Sequence, residues 1–298
     1  FDNQLLLDGI TNLEIADLDG NSHMDLIYST GSGVIVRFNE GGLQFSVKKI
    51  SSTITSSFFM KINDLDNDGD RDIVLLDSNT NQIILIENKG ARVFAEVTLL
   101  SNVRNLKGAS FAIADVNLDG RLDIVHALNS ANTIVLQIQN AGVGLSFNQT
   151  TIDTNVITPT SIVAGNFNSN DHLDLAVSTN NTSGNSYLFF YANDGSDNFN
   201  KVTVQNGGNF GFFNLFSHDF DSDGDLDLIA LQEFIHVYLL ANNGNGVFAA
   251  PVLIGTGSWC RQIAIGDINK DGFNDLVMFD EEVNNLTDLL YYKSNNSS

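Results

Sequence analysis

Asp219, Asp221, Asp223 and Asp227 alternate along a nine-residue stretch that also holds Asp225 at position 7 and Gly224 at position 6. Carboxylates so close together repel one another unless a cation neutralises them. Oxygen ligands at positions 1, 3, 5 and 9, a backbone carbonyl at position 7 and a glycine for the sharp turn suit a hard cation that takes six to eight oxygens.

The pattern recurs. It returns as Asp64, Asp66, Asp68, Asp70 and Asp72, as Asp115, Asn117, Asp119, Arg121 and Asp123, and as Asp267, Asn269, Asp271, Phe273 and Asp275. A looser copy is Asp17, Asp19, Asn21, His23 and Asp25, with Ser22 where the glycine should be. A degraded copy is Asn166, Asn168, Asn170 and Asp174, with Asp171 in the glycine position. In every copy position 7 (His23, Asp70, Arg121, Asp225, Phe273) would serve through its backbone carbonyl. The first positions fall at 17, 64, 115, 166, 219 and 267, a period of about 50 residues, and repeats of this length mean stacked units of one supersecondary structure.

An EF-hand opens in the same way but needs a Glu at position 12 between two helices. Position 12 here is Leu75, His126, Ala230 or Met278, and the flanks read as strands. Oxygen-only ligand sets favour Ca2+ over Zn2+, and Mg2+ prefers fewer protein ligands in rigid octahedral geometry. About five Ca2+ ions are expected. Loop 166–174 should be empty or weak, because three of its carboxylates have become amides.

Each unit reads as four short strands. Before the loop, apolar residues alternate (Leu13 and Ile15, Met60 and Ile62, Phe111 and Ile113); after it comes a continuous apolar run such as Ile73–Leu76 or Leu228–Leu231. A third segment (Ile83–Ile86, Ile134–Leu136, Tyr187–Phe190, Val237–Leu240) leads into an Asn-x-Gly turn and a Phe: Asn88 and Gly90 to Phe94, Asn193 and Gly195 to Phe199. Short continuous apolar runs mark strands buried on both faces, and Asn and Gly supply the positive φ of the turn. Four strands in each of six units predict an all-β, six-bladed β-propeller of antiparallel blades, a single domain over residues 1–298. The chain ends after a third strand and begins with Phe1–Leu7, which matches a fourth, so the N-terminal strand should complete the last blade and close the ring.

Composition agrees. The chain has 298 residues, is 43% hydrophobic and carries a net charge of −22. That charge argues against nucleic acid and anionic membrane surfaces as partners. No apolar run is long enough for a membrane span. Cys260 is the only cysteine, so an intrachain disulfide is excluded. The sequons at Asn148, Asn180, Asn181, Asn285, Asn295 and Asn296 are as many as chance gives in a chain this rich in Asn, Ser and Thr.

The D-x-[DN]-x-D-G-x-x-D loops and the Asn-x-Gly…Phe turns resemble the FG-GAP/VCBS repeat family, the Ca2+-loop propeller blades of integrin α-subunit heads and of many secreted adhesins, lectins and enzyme accessory domains. The resemblance covers nearly the whole chain. It implies a Ca2+-bound propeller at the cell surface or outside the cell, where millimolar calcium fills weak loops.

Five histidines are scattered, and no Ser-His-Asp set, zinc spacing or phosphate loop occurs. The expected function is therefore a non-catalytic binding or adhesion module for a glycan or an extracellular protein. The alternatives are a structural subunit that self-assembles, and a polysaccharide hydrolase or lyase on a propeller scaffold. Phe210 and Phe212, in a Gly- and Asn-rich segment, together with Trp259 and Arg261 form the candidate ligand surface, since aromatics among amides suit sugar or peptide contacts.

Overall fold

The computed structural model describes residues 9–42, 44–101, 103, 111–128, 131–142, 144–180, 186–196, 198–206, 211–232, 235–256, 263–281 and 287–292. It is an all-β propeller of four-stranded antiparallel blades. Five sheets have four strands, and the last has three among the described residues.

The backbone divides into two compact units, residues 1–107 with 138–148, and residues 108–137 with 149–298. The first unit contains two complete sheets, each in chain order: β1 (Ile10–Ala16), β2 (Asp25–Thr30), β3 (Gly33–Asn39) and β4 (Phe45–Ser51), then β5 (Ser57–Asn63), β6 (Asp72–Asp77), β7 (Gln82–Asn88) and β8 (Phe94–Leu100). The third sheet is β9 (Phe111–Ala114), β10 (Asp123–Leu128), β11 (Thr133–Gln139) and β12 (Phe147–Asp153). The second unit also contains β13 (Pro159–Gly165), β14 (Asp174–Thr179), β15 (Tyr187–Asn193) and β16 (Phe199–Asn206), and then β17 (Phe212–His218), β18 (Asp227–Gln232), β19 (His236–Leu240) and β20 (Val252–Thr256). The three-stranded sheet is β21 (Ile263–Gly266), β22 (Asp275–Glu281) and β23 (Thr287–Tyr292). The N-terminal strand expected over Phe1–Leu7 lies outside the described residues.

The continuous apolar runs are the middle strands, as the pattern predicts. Every residue of β6, β14 and β18 is buried, so both faces are covered and alternation would serve no purpose. The fourth strands are sheet edges with exposed centres, as in β8. In two blades the Phe after the turn packs onto rings of the preceding blade. Phe94 stacks on Phe38 with centroids 6.4 Å apart, and Phe248 meets Phe167 and Phe190 edge-on at 5.7 and 5.8 Å.

The first strand of the first blade departs from expectation. Leu13 and Ile15 are 36% and 57% exposed, while Asn12 and Ala16 are buried. The pleat puts 12 and 16 on one face and 13 and 15 on the other, and here the core lies on the side of the smaller Asn12 and Ala16. The second correction concerns Phe212. It is fully buried, packed edge-on against Tyr238 at 6.1 Å, and cannot present a ligand face. Phe210, Trp259 and Arg261 lie outside the described residues.

Candidate metal centre

Each acidic loop joins the first strand of a blade to the second, and its ninth residue opens that second strand: Asp25, Asp72, Asp123, Asp174, Asp227 and Asp275 are the first residues of β2, β6, β10, β14, β18 and β22. All six are fully buried. Their Oδ2 atoms accept the amide of position 2, from Leu18 at 2.9 Å, Leu65 at 3.0 Å, Val116 at 3.0 Å, Phe167 at 3.1 Å, Phe220 at 3.0 Å and Ile268 at 3.0 Å. In four blades Oδ1 takes an amide at the end of the third strand, from its last residue Asn39 at 2.8 Å, Asn88 at 2.9 Å and Asn193 at 2.8 Å, or from Asn242, two residues beyond it, at 2.8 Å. The ninth carboxylate thus ties the loop to the strand pair behind it.

The same third-strand residues reach further. Asn88 Nδ2 donates to Leu18 O at 2.7 Å, Gln139 Nε2 to Leu65 O at 2.9 Å, Asn193 Nδ2 to Val116 O at 3.1 Å, and Asn242 Nδ2 to Phe167 O at 2.7 Å. Each amide grips position 2 of the preceding blade's loop. Sequence reasoning treated these Asn residues as turn formers only; their recurrence just ahead of each turn was the available signal.

Position 1 folds the loop. Both oxygens of Asp64 accept backbone amides, from Asp68 at 3.1 Å and Gly69 at 3.0 Å. Asp115 does the same with Asp119 and Gly120, and Asp267 with Asp271 and Gly272. Position 6 is left-handed in every copy, including those without glycine: Gly224 has φ 98°, Ser22 67° and Asp171 67°. In four blades the side chain at position 7 lies close to the glycine of its own blade's turn. A Cβ on Gly244 would lie 2.4 Å from Asp225 Oδ2, and one on Gly195 would lie 2.3 Å from His172 Nε2.

Three loops bring three carboxylates within 4.8 Å of one another: Asp17, Asp19 and Asp25; Asp64, Asp66 and Asp72; Asp219, Asp221 and Asp227. Burial, with neighbouring negative charge adding to it, raises Asp25, Asp66, Asp72, Asp221 and Asp227. Asp72 is pushed up to about 6 by burial despite its two amide donors. Asp66 is also pushed up to about 6, by burial and by a hydrogen bond shared with Glu87, a further carboxylate that the sequence pattern did not mark. Asp219 Oδ1 is buried without a hydrogen-bond partner. Hard oxygens and charge in excess fit a metal cation, so Asp64, Asp66 and Asp72, and Asp219, Asp221 and Asp227 with its orphaned acceptor, are residues that could hold one.

Loops 115–123 and 267–275 are poorer. Asn117 Nδ2 donates to Asp119 Oδ2 at 3.1 Å, Arg121 pairs with the same oxygen, and Asn269 Nδ2 donates to Asp275 Oδ2 at 3.0 Å. In loop 166–174 amides take over: Asn168 Nδ2 reaches Asp174 Oδ1 at 3.3 Å and Asn170 Nδ2 reaches Asn193 O at 2.9 Å.

A model of the FG-GAP-like repeat matches residues 64–126 and 219–278, which contain the two richest loops. These two segments are similar to FG-GAP-like repeats. No curated protein matches it. Among solved structures, the chain is similar to an Agrocybe aegerita lectin described as specifically recognising non-reducing terminal N-acetylglucosamine. The two share 19% identity with a TM-score of 0.62, over 90% of this chain and 74% of the lectin.

Proposed function

We propose that this chain is a non-catalytic, calcium-stabilised recognition module that works outside the cell and binds a glycan or a protein, its six blades closed into a ring. The observation that carries the reading is the convergence of carboxylates at Asp64, Asp66 and Asp72 and again at Asp219, Asp221 and Asp227. Sites built from exposed, strand-bounded loops of this kind fill at the calcium levels found outside cells. The lectin with a similar fold adds glycans to the ligand classes worth testing first. Calcium would supply charge neutralisation and rigidity, and the recognition chemistry would fall to surface side chains.

The test is a glycan array probed in millimolar Ca2+ and again with chelator, paired with a pull-down from extracellular matrix or secreted protein. Calcium-dependent binding in either format supports the reading. A blank array together with an empty pull-down in calcium overturns it.

A further inference from the structure

Loop 17–25 has converging carboxylates like its two strongest counterparts, but a protein cation already sits against them. Arg92, four residues beyond the end of β7, donates from Nε to Asp19 Oδ2 at 2.8 Å and from Nη2 to the same oxygen at 2.5 Å. Its other edge reaches Glu40, Nη1 to Oε1 at 2.7 Å and Nη2 to Oε2 at 3.0 Å, and Nη1 also meets Ser46 Oγ at 3.1 Å. The guanidinium lies over the Phe38 ring, 4.3 Å from its centroid, and Lys48 Nζ holds the Arg92 carbonyl at 2.5 Å. The Asp19 side chain is only 8% exposed.

Position 5 is committed as well. Asn21 Nδ2 donates to Asn39 O at 2.9 Å and to Asp19 Oδ2 at 3.3 Å, and Asn21 Oδ1 accepts the amide of His23 at 2.8 Å. A dication between Asp17, Asp19 and Asp25 would have to share Asp19 Oδ2 with a fixed positive charge and turn the Asn21 amide away. Arginine cannot relieve that repulsion by losing its proton. Loop 115–123 differs: its Arg121 belongs to the loop itself and its pair with Asp119 is partly exposed, an arrangement that gives way readily.

We propose that Arg92 takes the place of the divalent cation in loop 17–25, so that this loop is locked by the protein's own charge and binds no Ca2+. The preceding blade would then be pinned to its neighbour by a cation that neither dilution nor chelator removes, while loops 64–72 and 219–227 stay calcium-dependent. The inference concerns this loop alone and stands apart from what the protein recognises.

Two variants read the loop from opposite sides, with Ca2+ titrations by calorimetry and by Tb3+ luminescence. Arg92→Gln should bind one more Ca2+ per chain than wild type. Asp19→Asn should bind the same number as wild type, whereas Asp64→Asn should bind one fewer. An unchanged count in Arg92→Gln, or the loss of one ion in Asp19→Asn, overturns the proposal, and the second result is decisive alone should Arg92→Gln fail to fold. If wild type binds no Ca2+ at all, the calcium reading of loops 64–72 and 219–227 falls. The Arg92 inference is then upheld by one ion in Arg92→Gln and overturned by none.

Discussion

Asp174 accepts the backbone amide of Asn193 at 2.8 Å in a loop whose other acidic ligand positions have all become amides. The ninth acid therefore survives where a cation has little to hold it. Its work is to join Phe167 at the loop to Asn193 at the end of β15. Asp174→Asn keeps the shape but replaces one accepting oxygen with a donor facing an amide. It should cost about 1–3 kcal/mol, by the same amount with calcium or with chelator, in urea melts. A cost that appears only in calcium would make Asp174 a metal ligand instead.

For the two rich loops the outcome should be the opposite. Chelation should lower the melting temperature sharply, since ligand at a thousand times its dissociation constant stabilises by about 4 kcal/mol per site. Asp219→Asn should remove part of that calcium-dependent shift, because it neutralises one of three carboxylates lying within 4.8 Å of one another. Calorimetric scans of wild type and variant, each with and without chelator, measure both effects. A wild-type melt indifferent to chelator would remove calcium from the stability of the fold.

Protons compete for the same oxygens. Asp66 and Asp72 are each raised to about 6 when no cation is bound, so the metal-free folded state takes up protons that the unfolded chain takes up only near pH 4. That contribution is full below the unfolded value and is lost as pH rises through about 6. The metal-free protein should therefore gain about 1 kcal/mol from Asp72 as pH falls from 7 to 5. Calcium holds these groups ionised, so the stabilisation it gives should shrink over the same interval. His126 opposes the gain: burial lowers it from the ordinary histidine value of 6.5 to about 4, so its stabilising contribution is lost progressively as pH falls through that interval. It acts equally with and without calcium, so the difference between the two melts at each pH isolates the loops. A calcium increment that is flat from pH 7 to 5 would contradict the assignment.

The blades were legible because their signals are local. A continuous apolar run such as Ile73–Leu76 can only be a strand covered on both faces, and all of β6 is buried. The ninth-position acids were placed correctly at the start of the second strand for the same reason. What the sequence hid was contact across about 70 residues of chain, where one side chain's partner depends on how blades stack: Asn88 reaching Leu18 and Arg92 reaching Asp19 are of this kind. Glu87 sharing a hydrogen bond with Asp66 lies within one blade, but outside the nine-residue pattern. Phe212 was misread because an aromatic beside glycines looks like a displayed ring until the packing around Tyr238 is seen.

Gly244 and Asp225 make a close pair that a methyl group would break. Gly244 has φ 75°, and a Cβ there would sit 2.4 Å from Asp225 Oδ2. At Gly90, with φ 71°, the corresponding approach to Asp70 Oδ2 is 3.1 Å. Both Ala variants carry the left-handed strain of about 1–2 kcal/mol, and Gly244→Ala must also displace Asp225, the seventh residue of a rich loop. Gly244→Ala should be the less stable in urea and should bind Ca2+ more weakly, while Gly90→Ala changes stability alone. Equal effects on calcium affinity would show that the seventh residue's side chain does not set the position of its carbonyl.

Leu118 offers the reverse case. It stands at position 4 with φ 59° and is 52% exposed, so its side chain contributes little packing to offset the left-handed backbone. The equivalent residues Asn67 and Gly20 share that conformation at φ 62° and 73°, and Asn is a side chain that tolerates it. Leu118→Asn should therefore stabilise by roughly 0.5–1 kcal/mol, seen as a higher urea midpoint with an unchanged slope. The gain should be as large in chelator as in calcium, because the strain lies in the backbone and no cation relieves it. A loss of stability instead would mean that the Leu118 side chain is covered in solution, by a partner surface laid over this loop.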